Sequence, residues 1–440
     1  MSLYGAMMTG ISGLDANAQA MSIFSSNIAN SNTVGYKDVQ AQFSTLLTSM
    51  FGNADNASVL ASGEQNVTQQ GLLQSASSPT DLGISGNGFF VVSNSAGTTG
   101  QQYYTRAGNF SPNSSGYLQN GAGYYLMGWP VNGQGVVQNN GSPGPINISN
   151  LSGKAEATQN ATLQDNLDSG DTVDSTYTVG DMSSQNGNPP KTQPEFSQTI
   201  NVYDSQGGSQ PLTVNWIKTG TNQWSYEVDY NGNLSNLANT TTNMVGSGTV
   251  SFNSDGSLAD VNNASPASGN AALAINWSGT SGLTSPQNIT INMGTVGSTN
   301  GITQFSSPSV VNGSSVDGAL FGNLTGIAVD SNGFVTANFS NGLSEKIYQV
   351  PLATFTNENG LAAVSGDAYQ ASSQSGTANI NAPNTGASGS IASSELEGST
   401  VDLATEFTNL ITTQRAYSAS ARIVTTADQM LQTLEQLPSS

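Results

Sequence analysis

The stretch QPLTVNWIKTGTNQWSYEVDY, residues 210–230, decides the fold of the central part of the chain. A period of two in residue character is typical of a β-strand, because successive side chains point to opposite faces of a sheet. The stretch therefore predicts a β-hairpin with its turn in KTGTN. The apolar residues that mark this period on either side of the turn are Leu212, Val214, Trp216, Trp224, Tyr226 and Val228.

Turn signals recur outward from this hairpin. Asn-Gly pairs begin at residues 87, 120, 132, 231, 312, 332 and 341, and Ser-Asp-Gly occupies 254–256. Asparagine and glycine tolerate the left-handed backbone that tight turns require, so these pairs separate short strands. The middle of the chain is therefore predicted to be all-β, built as sandwiches or barrels around one or two cores.

The two ends of the chain follow a period of seven instead. Apolar residues held on a heptad line over several turns favour helices that supercoil with a partner. Either the two helices pair or pack on the β body, or copies of the chain complete their seams. Gly10 and Gly13 weaken the first helix, and Gln414 and Asp428 interrupt the second seam, which favours ordering on assembly. The predicted seam residues are Met7, Leu14, Met21, Ile28, Leu403, Phe407, Leu410, Tyr417, Val424 and Leu431.

The composition divides the chain symmetrically. Two stretches poor in large apolar residues and rich in Ser, Asn, Gln, Gly and Ala flank the β body and are predicted to be linkers. We expect mainly β structure with coiled-coil helical termini and two nested all-β domains. The predicted parts are the first helix (1–30), a linker arm (31–75), an inner β domain (76–150 and 301–370), an outer β domain (151–300), a second linker (371–398) and the second helix (399–440).

The composition also excludes several function classes. The chain has no Cys and no His among its 440 residues, which removes thiol nucleophiles, Cys/His metal sites and Ser-His-Asp relays. Its formal charge of −20 disfavours binding to nucleic acid or to an anionic membrane surface. No apolar run approaches the roughly 18 residues of a membrane span. ANAQA at 16–20 imitates a signal cleavage site, but no Lys or Arg precedes Lys37, so we expect an uncleaved N-terminus.

Candidate chemistry is sparse. Segments such as Asp330-Ser-Asn-Gly resemble fragments of calcium loops, but they lack the full ligand spacing and fit hairpin turns. GISGNGFF at 83–90 is interpreted as a turn into a strand, not as a phosphate-binding loop. We therefore predict no enzyme activity, no cofactor and no metal site.

Three motifs in order resemble the flagellar rod and hook family. They are SSNIANSNTVGYKD at 25–38, DLGISGNGFFVV with YTRAGNF at 81–92 and 104–110, and STVDLATEFTNLITTQRAY at 399–417. The segments at 201–228, 301–307 and 341–361 are similar to the hook members of that family. The resemblance covers almost the whole chain and is weakest at 151–195 and 231–300.

The resemblance implies a structural subunit that polymerises into a short curved tube between rod and filament. Its terminal helices would line the channel, its β domains would form the outer layers, and the tube would transmit motor torque as a universal joint. It also implies type III export without a cleaved signal, an extracellular location in the hook, and no membrane insertion. The implied partners are further copies of the chain, rod proteins, the hook cap, hook–filament junction proteins and the export apparatus.

The first motif is predicted to be a hinge between the helix and the outer layers. Asn30 could end the helix in a left-handed turn, and Gly35 could allow a second reversal. An acidic neighbour is expected for Lys37 at this joint. The matching motif residues are Asn27, Asn30, Gly35, Tyr36 and Lys37.

Arg415 and Arg422 lie seven residues apart, so they share one helix face. They are either solvated or in contact with carboxylates of a neighbouring copy. Two other structural classes remain open from the residues: a distal rod protein, which has less room for a middle domain, and a secreted β-rich adhesin, which would not explain paired terminal heptads.

Overall fold

A computed structural model describes residues 3–47, 57–97, 100–132, 135–138, 142–149, 151 and 153–435. The chain divides into two units. The first comprises 1–150, 326–338 and 344–440, and the second comprises 151–325 and 339–343. Two helices, α1 (Leu3–Ala29) and α2 (Leu403–Glu435), belong to the first unit, and strands make up most of the remaining regular structure. This confirms the predicted fold class.

The strands occur in both units. In chain order they are β1 Val39–Leu47, β2 Ala57–Gln65, β3 Leu73–Ser75, β4 Leu82–Ser85, β5 Phe89–Ser93, β6 Gln102–Thr105, β7 Ser111–Pro112, β8 Leu118–Gln119, β9 Tyr125–Pro130, β10 Gly144–Pro145, β11 Lys154–Glu156, β12 Asn160–Asp168, β13 Phe196–Tyr203, β14 Ser209–Gly220, β15 Gln223–Tyr230, β16 Met244–Phe252, β17 Leu258–Val261, β18 Asn270–Ile275, β19 Gln287–Asn292, β20 Thr303–Phe305, β21 Val310–Val316, β22 Ala319–Gly322, β23 Leu324–Val329, β24 Phe334–Phe339, β25 Ser344–Gln349, β26 Leu352–Thr354, β27 Ala362–Val364, β28 Ala368–Gln370, β29 Asn379–Asn381, β30 Ser390–Ser393 and β31 Glu395–Glu397.

The segment predicted as a linker arm, 31–75, contains a hairpin instead. Strands β1 and β2 pair antiparallel in a register that runs from Val39 opposite Gln65 to Leu47 opposite Ala57. The hairpin packs on α1, and the pairing satisfies the backbone groups that the two strands turn toward each other. Residues 48–56 lie outside the described part of the chain. The Ser, Asn and Gln content that favoured a linker conceals strands with few large side chains.

The second predicted linker, 371–398, is also built into the first unit. Its strands β29, β30 and β31 pair with β26, β4 and β3, respectively. The pair β3–β31 places Leu73 opposite Glu397. The two sides of the β region that lead to the helices are therefore joined by hydrogen-bonded strands, which corrects the linker prediction.

The largest sheet of the first unit has the strand order β23-β24-β25-β9-β5-β6-β28-β27. Alternate residues of β5 point to opposite faces of this sheet. Phe90 therefore lies in one buried cluster with Leu126 and Leu352, whereas Phe89 lies in another with Tyr369. Both faces of β5 are consequently covered.

The second unit is a pair of sheets around one core. One sheet has the order β13-β14-β15-β16-β17, and the other has the order β18-β19-β12-β20 with β21 also on β12. Strand β20 pairs with β12 through Asn166 and Thr303. Residues 301–325, predicted to belong to the inner β domain, therefore belong to the second unit, because their strands complete its sheet.

The hairpin at 210–230 forms as predicted. Strands β14 and β15 pair with Leu212 opposite Tyr230 and Trp216 opposite Tyr226. Asn222 has a φ of 55° in the connecting turn, the left-handed conformation that Asn tolerates. The apolar face of the hairpin enters the core of the second unit, where Trp216 is fully buried.

The opposite face of this hairpin is also covered, by the irregular segment 169–195. Lys218 Nζ donates to the Ser169 carbonyl at 2.6 Å. Gly180 N donates to the Glu227 carboxylate at 2.6 Å, and Ser183 Oγ donates to Asp229 Oδ1 at 2.5 Å. Buried carboxylates on the strands therefore hold a backbone segment that has no sheet partner of its own.

Candidate assembly site at the base of the terminal helices

The hinge motif begins where α1 ends. Asn30 N donates to the carbonyls of Ser26 and Asn27, each at 3.1 Å, and Asn30 Nδ2 donates to the Ser26 carbonyl at 2.9 Å. The φ angle of Asn30 is not positive, so the left-handed turn predicted at this position is wrong. Its side chain instead adds a second hydrogen bond to the Ser26 carbonyl in the last helical turn.

Gly35 supplies the reversal predicted for it. Its φ is +72°, and a Cβ at this position would lie 2.7 Å from the backbone nitrogen of Ala107. Its own N–H donates to the Glu397 carbonyl at 2.8 Å. Both the left-handed backbone and the lack of space therefore require glycine.

Asn27 joins the helix to the start of the hairpin. Its Nδ2 donates to the Val39 carbonyl at 2.8 Å, and its Oδ1 accepts from Val39 N at 3.1 Å. The Tyr36 hydroxyl donates to the same Oδ1 at 3.0 Å. Asn27 is fully buried, so its amide fixes the exit direction of the chain with every bond shielded from water.

Lys37 lies in a buried ion cluster. Its Nζ is 2.5 Å from Glu397 Oε1, and Arg106 Nη1 is 3.1 Å from Glu397 Oε2. The side chains of Lys37 and Glu397 are both 0% exposed, and that of Arg106 is 2% exposed. Lys37, Arg106 and Glu397 are called the junction cluster below. The acidic neighbour expected for Lys37 is confirmed as Glu397.

Backbone groups add hydrogen bonds to the junction cluster, although Arg106 Nε has no partner among the described residues. Lys37 Nζ also donates to the Gln69 carbonyl, and Gly71 N donates to Glu397 Oε1 at 2.7 Å. Arg106 Nη2 donates to the Gly86 carbonyl at 3.1 Å. A buried ion pair offsets its desolvation only when such additional hydrogen bonds satisfy its remaining donors and acceptors.

Burial and nearby charges of opposite sign act in opposing directions on the pKa values in and beside the junction cluster. Burial lowers the pKa of Lys37, and the Glu397 carboxylate opposes that shift. Burial raises the pKa of Glu358, which Arg106 and Lys37 oppose through their charges. The Arg106 guanidinium also lies 5.1 Å from the centre of the Phe89 ring. The ring face gives the second cation a further favourable electrostatic contact.

The segment after Glu397 leads directly from the junction cluster into α2. Thr400 N donates to the Tyr36 carbonyl at 3.1 Å, and Thr400 Oγ1 donates to Asp38 Oδ1 at 2.9 Å. Asp402 then caps α2, since its Oδ1 accepts from the N–H groups of Ala404 and Thr405 at 2.9 and 3.1 Å. Helix α2 therefore begins at Leu403 and not at Ser399.

The two helices pack against each other in opposite directions, with small residues at their closest approach. A Cβ at Gly10 would lie 2.9 Å from Val424 Cγ2, and one at Gly13 would lie 3.0 Å from Ser420 Oγ. The glycines that weaken α1 as an isolated helix thus allow α2 to approach closely. Ala16 and Ala20 continue this small, buried line along α1. The interpretation that the terminal helices pair is confirmed within one chain.

The predicted seam residues do not all lie between the helices. On α1, the four predicted residues Met7, Leu14, Met21 and Ile28 are half-buried. On α2, three of the predicted seam residues are half-buried: Leu410, Val424 and Leu431.

Three predicted seam residues of α2 are exposed: Leu403, Phe407 and Tyr417. Besides the half-buried Val424, which lies against Gly10, the buried positions of α2 are polar or small: Glu406, Thr413 and Ala427. Phe407 is 52% exposed. Glu406, Thr413 and Ala427 also follow the heptad spacing. Because two of them are polar, the sequence alone did not mark this face of α2 as the one that packs on α1.

The exposed apolar residues form an unpaired surface on the helices. Besides Phe407, α2 exposes Ile411, Ile423 and Met430, and α1 exposes Met8 and Ile11. Several exposed large apolar side chains on paired helices are typical of an interaction site in a soluble protein.

Arg415 and Arg422 are exposed on α2. In the part of the chain that the structure describes, neither guanidinium group makes a hydrogen bond or an ion pair. They line a shallow groove of about 330 Å³ with Gln414, Ser418 and Ala419. Sequence reasoning did not select Arg106 and Glu397, although Arg106 lies in the quoted motif YTRAGNF. Only the fold brings these residues to Lys37.

Comparison with known proteins identifies this architecture. The flagellar hook protein FlgE of Caulobacter vibrioides is 32% identical, and the match covers 99% of this chain and 99% of that protein. The chain belongs to the flagellar hook protein family. FlgE of Brucella suis is also 32% identical, with 99% of this chain and 100% of the relative covered. FlgE of Escherichia coli is 29% identical over 98% of this chain and 100% of the relative.

Four family models match consecutive parts of the chain. Flagella basal body rod protein matches 7–37, and the flagellar hook protein FlgE/F/G D1 domain matches 83–166. The flagellar basal body protein FlaE D2 domain matches 166–319, and the flagellar basal body rod FlgEFG protein C-terminal model matches 392–437. The crystal structure of Helicobacter pylori FlgE2 matches with a TM-score of 0.46 and 14% identity, covering 74% of this chain and 100% of that one.

The chain is thus a structural subunit of the flagellar hook, which confirms the predicted family and function. The distal rod and adhesin alternatives are not favoured. Family membership supports polymerisation in the flagellar basal body. Among the described helices, neither α1 nor α2 is long and apolar enough to cross a membrane.

Proposed function

We propose that this hook subunit polymerises through its terminal helices into a curved hollow tube that transmits torque from rod to filament as a flexible universal joint. The observation that carries the proposal is the unpaired apolar surface of the helices. Phe407, Ile411, Ile423 and Met430 remain exposed on α2 after it has packed on α1. Copies of the chain that cover this surface remove it from water, which stabilises the polymer by roughly 25 cal/mol per Å² of apolar area.

The predicted seam then has two roles. The half-buried members, such as Leu14 and Val424, border the contact within the chain. The exposed members, Leu403, Phe407 and Tyr417, extend the surface that a neighbouring copy would cover. The apolar residues of the helices are only partly covered within one chain. This agrees with the expectation that the helices become ordered on assembly.

The junction cluster would transmit force between the helices and the β region of the first unit. Lys37, Arg106 and Glu397 come from three separate parts of the chain and are buried together. Shearing them apart would expose unpaired charges to a low-dielectric interior, which is costly. We propose that this makes the base of the helices stiff, while the motif residues from Asn27 to Lys37 fix the exit angle.

The outer surfaces would supply the sliding contacts that bending requires. The chain is 8% charged, and its polarity comes mainly from neutral side chains. Neutral hydrogen bonds contribute only about 1 kcal/mol each, so no single register between copies is strongly favoured. We place the β parts of both units outside the helices, as nested inner and outer domains.

The remaining partners follow the same proposal. Rod proteins, the hook cap, hook–filament junction proteins and the flagellar export apparatus are the proposed partners, with type III export of an uncleaved chain to the cell exterior. We propose no catalytic activity. Arg415 and Arg422 are proposed to contact carboxylates of a neighbouring subunit.

Substitution of one exposed aromatic residue tests the proposal. Phe407→Ser removes apolar area from the helix surface, whereas Phe305→Ser makes the same change at a 44% exposed phenylalanine of the second unit. Polymers of the purified full chains are counted by electron microscopy, and folding is checked by circular dichroism. We expect Phe407→Ser to lose polymer and Phe305→Ser to retain it. Equal polymer from Phe407→Ser and the unsubstituted chain would refute assembly through the helices.

A further inference from the structure

Three charged residues lie on the outward faces of the paired helices. Asp15 is the only charged residue in α1 and is exposed. It follows Gly13, which faces Ser420 of α2, by two residues. Two residues turn a helix by about 200°, so Asp15 points away from α2.

The two arginines of α2 have the reciprocal placement. Arg422 follows Ser420, which faces α1, by two residues, and Arg415 follows the buried Thr413 by two. By the same rotation of about 200°, both arginines point away from α1. The acid and the arginines therefore lie on opposite sides of the helix pair.

The charges also lie at the same height along the helices. Gly13 contacts Ser420, and Gly10 contacts Val424, so the helices run antiparallel. Asp15, two residues beyond Gly13 on α1, therefore lies at about the height of Ser418 on α2. Ser418 lies between Arg415 and Arg422. The arginines are about 10 Å apart along the axis, at about 1.5 Å per residue. An acid at this height can reach both guanidinium groups.

Within one chain these groups do not meet, because two helix diameters separate them. In the part of the chain that the structure describes, Asp15, Arg415 and Arg422 all lack an ion-pair partner. A second copy placed beside the first in the same orientation brings the outward face of α1 against the outward face of α2. Such a head-to-tail contact joins different surfaces on each copy and can close into a ring or continue as a helix.

We propose that Asp15 of one copy docks between Arg415 and Arg422 of the adjacent copy and sets the register of lateral contacts in the helical layer. This inference rests on the proposed function, since it requires copies that assemble through their helices. The groove between the arginines is lined by the small residues Ser418 and Ala419, which leave room for an approaching helix. Met8 and Ile11 are exposed on the same side of α1 as Asp15 and add apolar contact to the ion pairs.

Cross-linking tests the predicted neighbour. The chain has no cysteine, so introduced thiols have no background. Chains carrying Ile11→Cys, which lies about one turn before Asp15 on the same side of α1 and keeps the carboxylate, are mixed with chains carrying Ser418→Cys, polymerised, and treated with a short bismaleimide. We expect covalent dimers from this pair and few from the matched pair of Ile11→Cys with Thr405→Cys, because Thr405 is exposed but lies about 20 Å from Ser418 along α2, at 1.5 Å per residue.

Charge reversal tests whether the contact is electrostatic. Asp15→Lys, or Arg415→Asp with Arg422→Asp, should raise the chain concentration needed for polymer about tenfold, because like charges then face each other. Combining all three changes should restore polymer, which a merely structural role would not allow. The control is Asp428→Lys, which alters another exposed acid of α2 and should change little.

The outcomes separate this inference from the proposed function. Polymer without cross-links above the Thr405 control, or polymer unaffected by Asp15→Lys, would overturn the Asp15 contact and leave assembly through the helices intact. Failure of the unsubstituted chain to polymerise under any condition would overturn both. Restoration of polymer in the triple variant would support the contact directly.

Discussion

Lys37 and Glu397 form a buried ion pair across 360 positions of sequence, with 2.5 Å between Nζ and Oε1. The pair joins the segment that follows α1 to the segment that precedes α2. Arg106 binds the other oxygen of the same carboxylate from within the β region. One carboxylate therefore ties together the exit of α1, the approach to α2 and the sheet of the first unit.

Removal of the Glu397 charge should destabilise the first unit strongly. Glu397→Gln leaves Lys37 and Arg106 buried without an anion, and breaking a buried pair in this way costs about 3–5 kcal/mol. The free energy of unfolding, measured with denaturant, should fall by that amount. Lys191→Gln breaks the Lys191–Asp181 pair, in which Lys191 is 77% exposed, and serves as the control with little expected change. A similar small change in both variants would show that burial does not decide the strength of the junction cluster.

Gly35 should not tolerate a side chain. Gly35→Ala combines left-handed backbone, which costs roughly 1–2 kcal/mol for an L-residue, with a Cβ 2.7 Å from Ala107 N. Gly135→Ala is the matched control in the same unit, because Gly135 has a φ of +78° but no atom within 4 Å of an added Cβ. Thermal unfolding should show a clearly larger loss for Gly35→Ala. If both variants lose the same stability, backbone strain alone accounts for the glycine.

The second unit should lose stability as pH rises toward neutrality. Burial raises the pKa of Asp165 from 3.8 to about 7, and that of Asp229 to about 6. Because the folded state holds these protons more tightly than the unfolded chain, the stabilisation is complete below pH 3.8 and is lost as pH rises through about 7. Asp165→Asn keeps the shape without the charge. It should raise the free energy of unfolding at pH 8 by up to about 4 kcal/mol.

A surface carboxylate of the same unit supplies the control for that pH dependence. Hydrogen bonds from Ser257 lower the pKa of Asp255. Its contribution therefore has the opposite sign and is lost as pH falls, so Asp255→Asn should slightly reduce stability at neutral pH. Unfolding curves measured between pH 4 and pH 8 distinguish the two variants. A gain from Asp255→Asn as large as that from Asp165→Asn would point to net charge and not to burial.

The helices and the central hairpin could be predicted because their periods are local. The alternation from Leu212 to Val228 and the heptad line from Met7 to Ile28 are properties of short stretches, and both elements form. The β1–β2 hairpin was missed because a pair of strands with few large side chains, such as Ala57–Gln65, has no clear apolar period. Contact with α1 on one face stabilises this hairpin, and that contact exists only in the folded chain.

The site could be predicted only in part, because its contacts are non-local. Lys37 was selected as an isolated positive charge after the helix, and an acidic neighbour was expected, but no pattern near Lys37 identifies Glu397 or Arg106. On α2, apolar character selected Phe407, whereas the pairing face is set by the glycines of α1. The choice of face depended on the shape of the partner helix, which a single segment does not encode.

Electron microscopy of the assembled full chain tests the central claim most directly. We expect a hollow tube in which α1 and α2 line the channel, with the β parts outside and the exposed apolar residues of the helices covered by neighbouring copies. A tube whose channel is lined by the β parts, or whose contacts leave Phe407 and Ile411 in water, would contradict it.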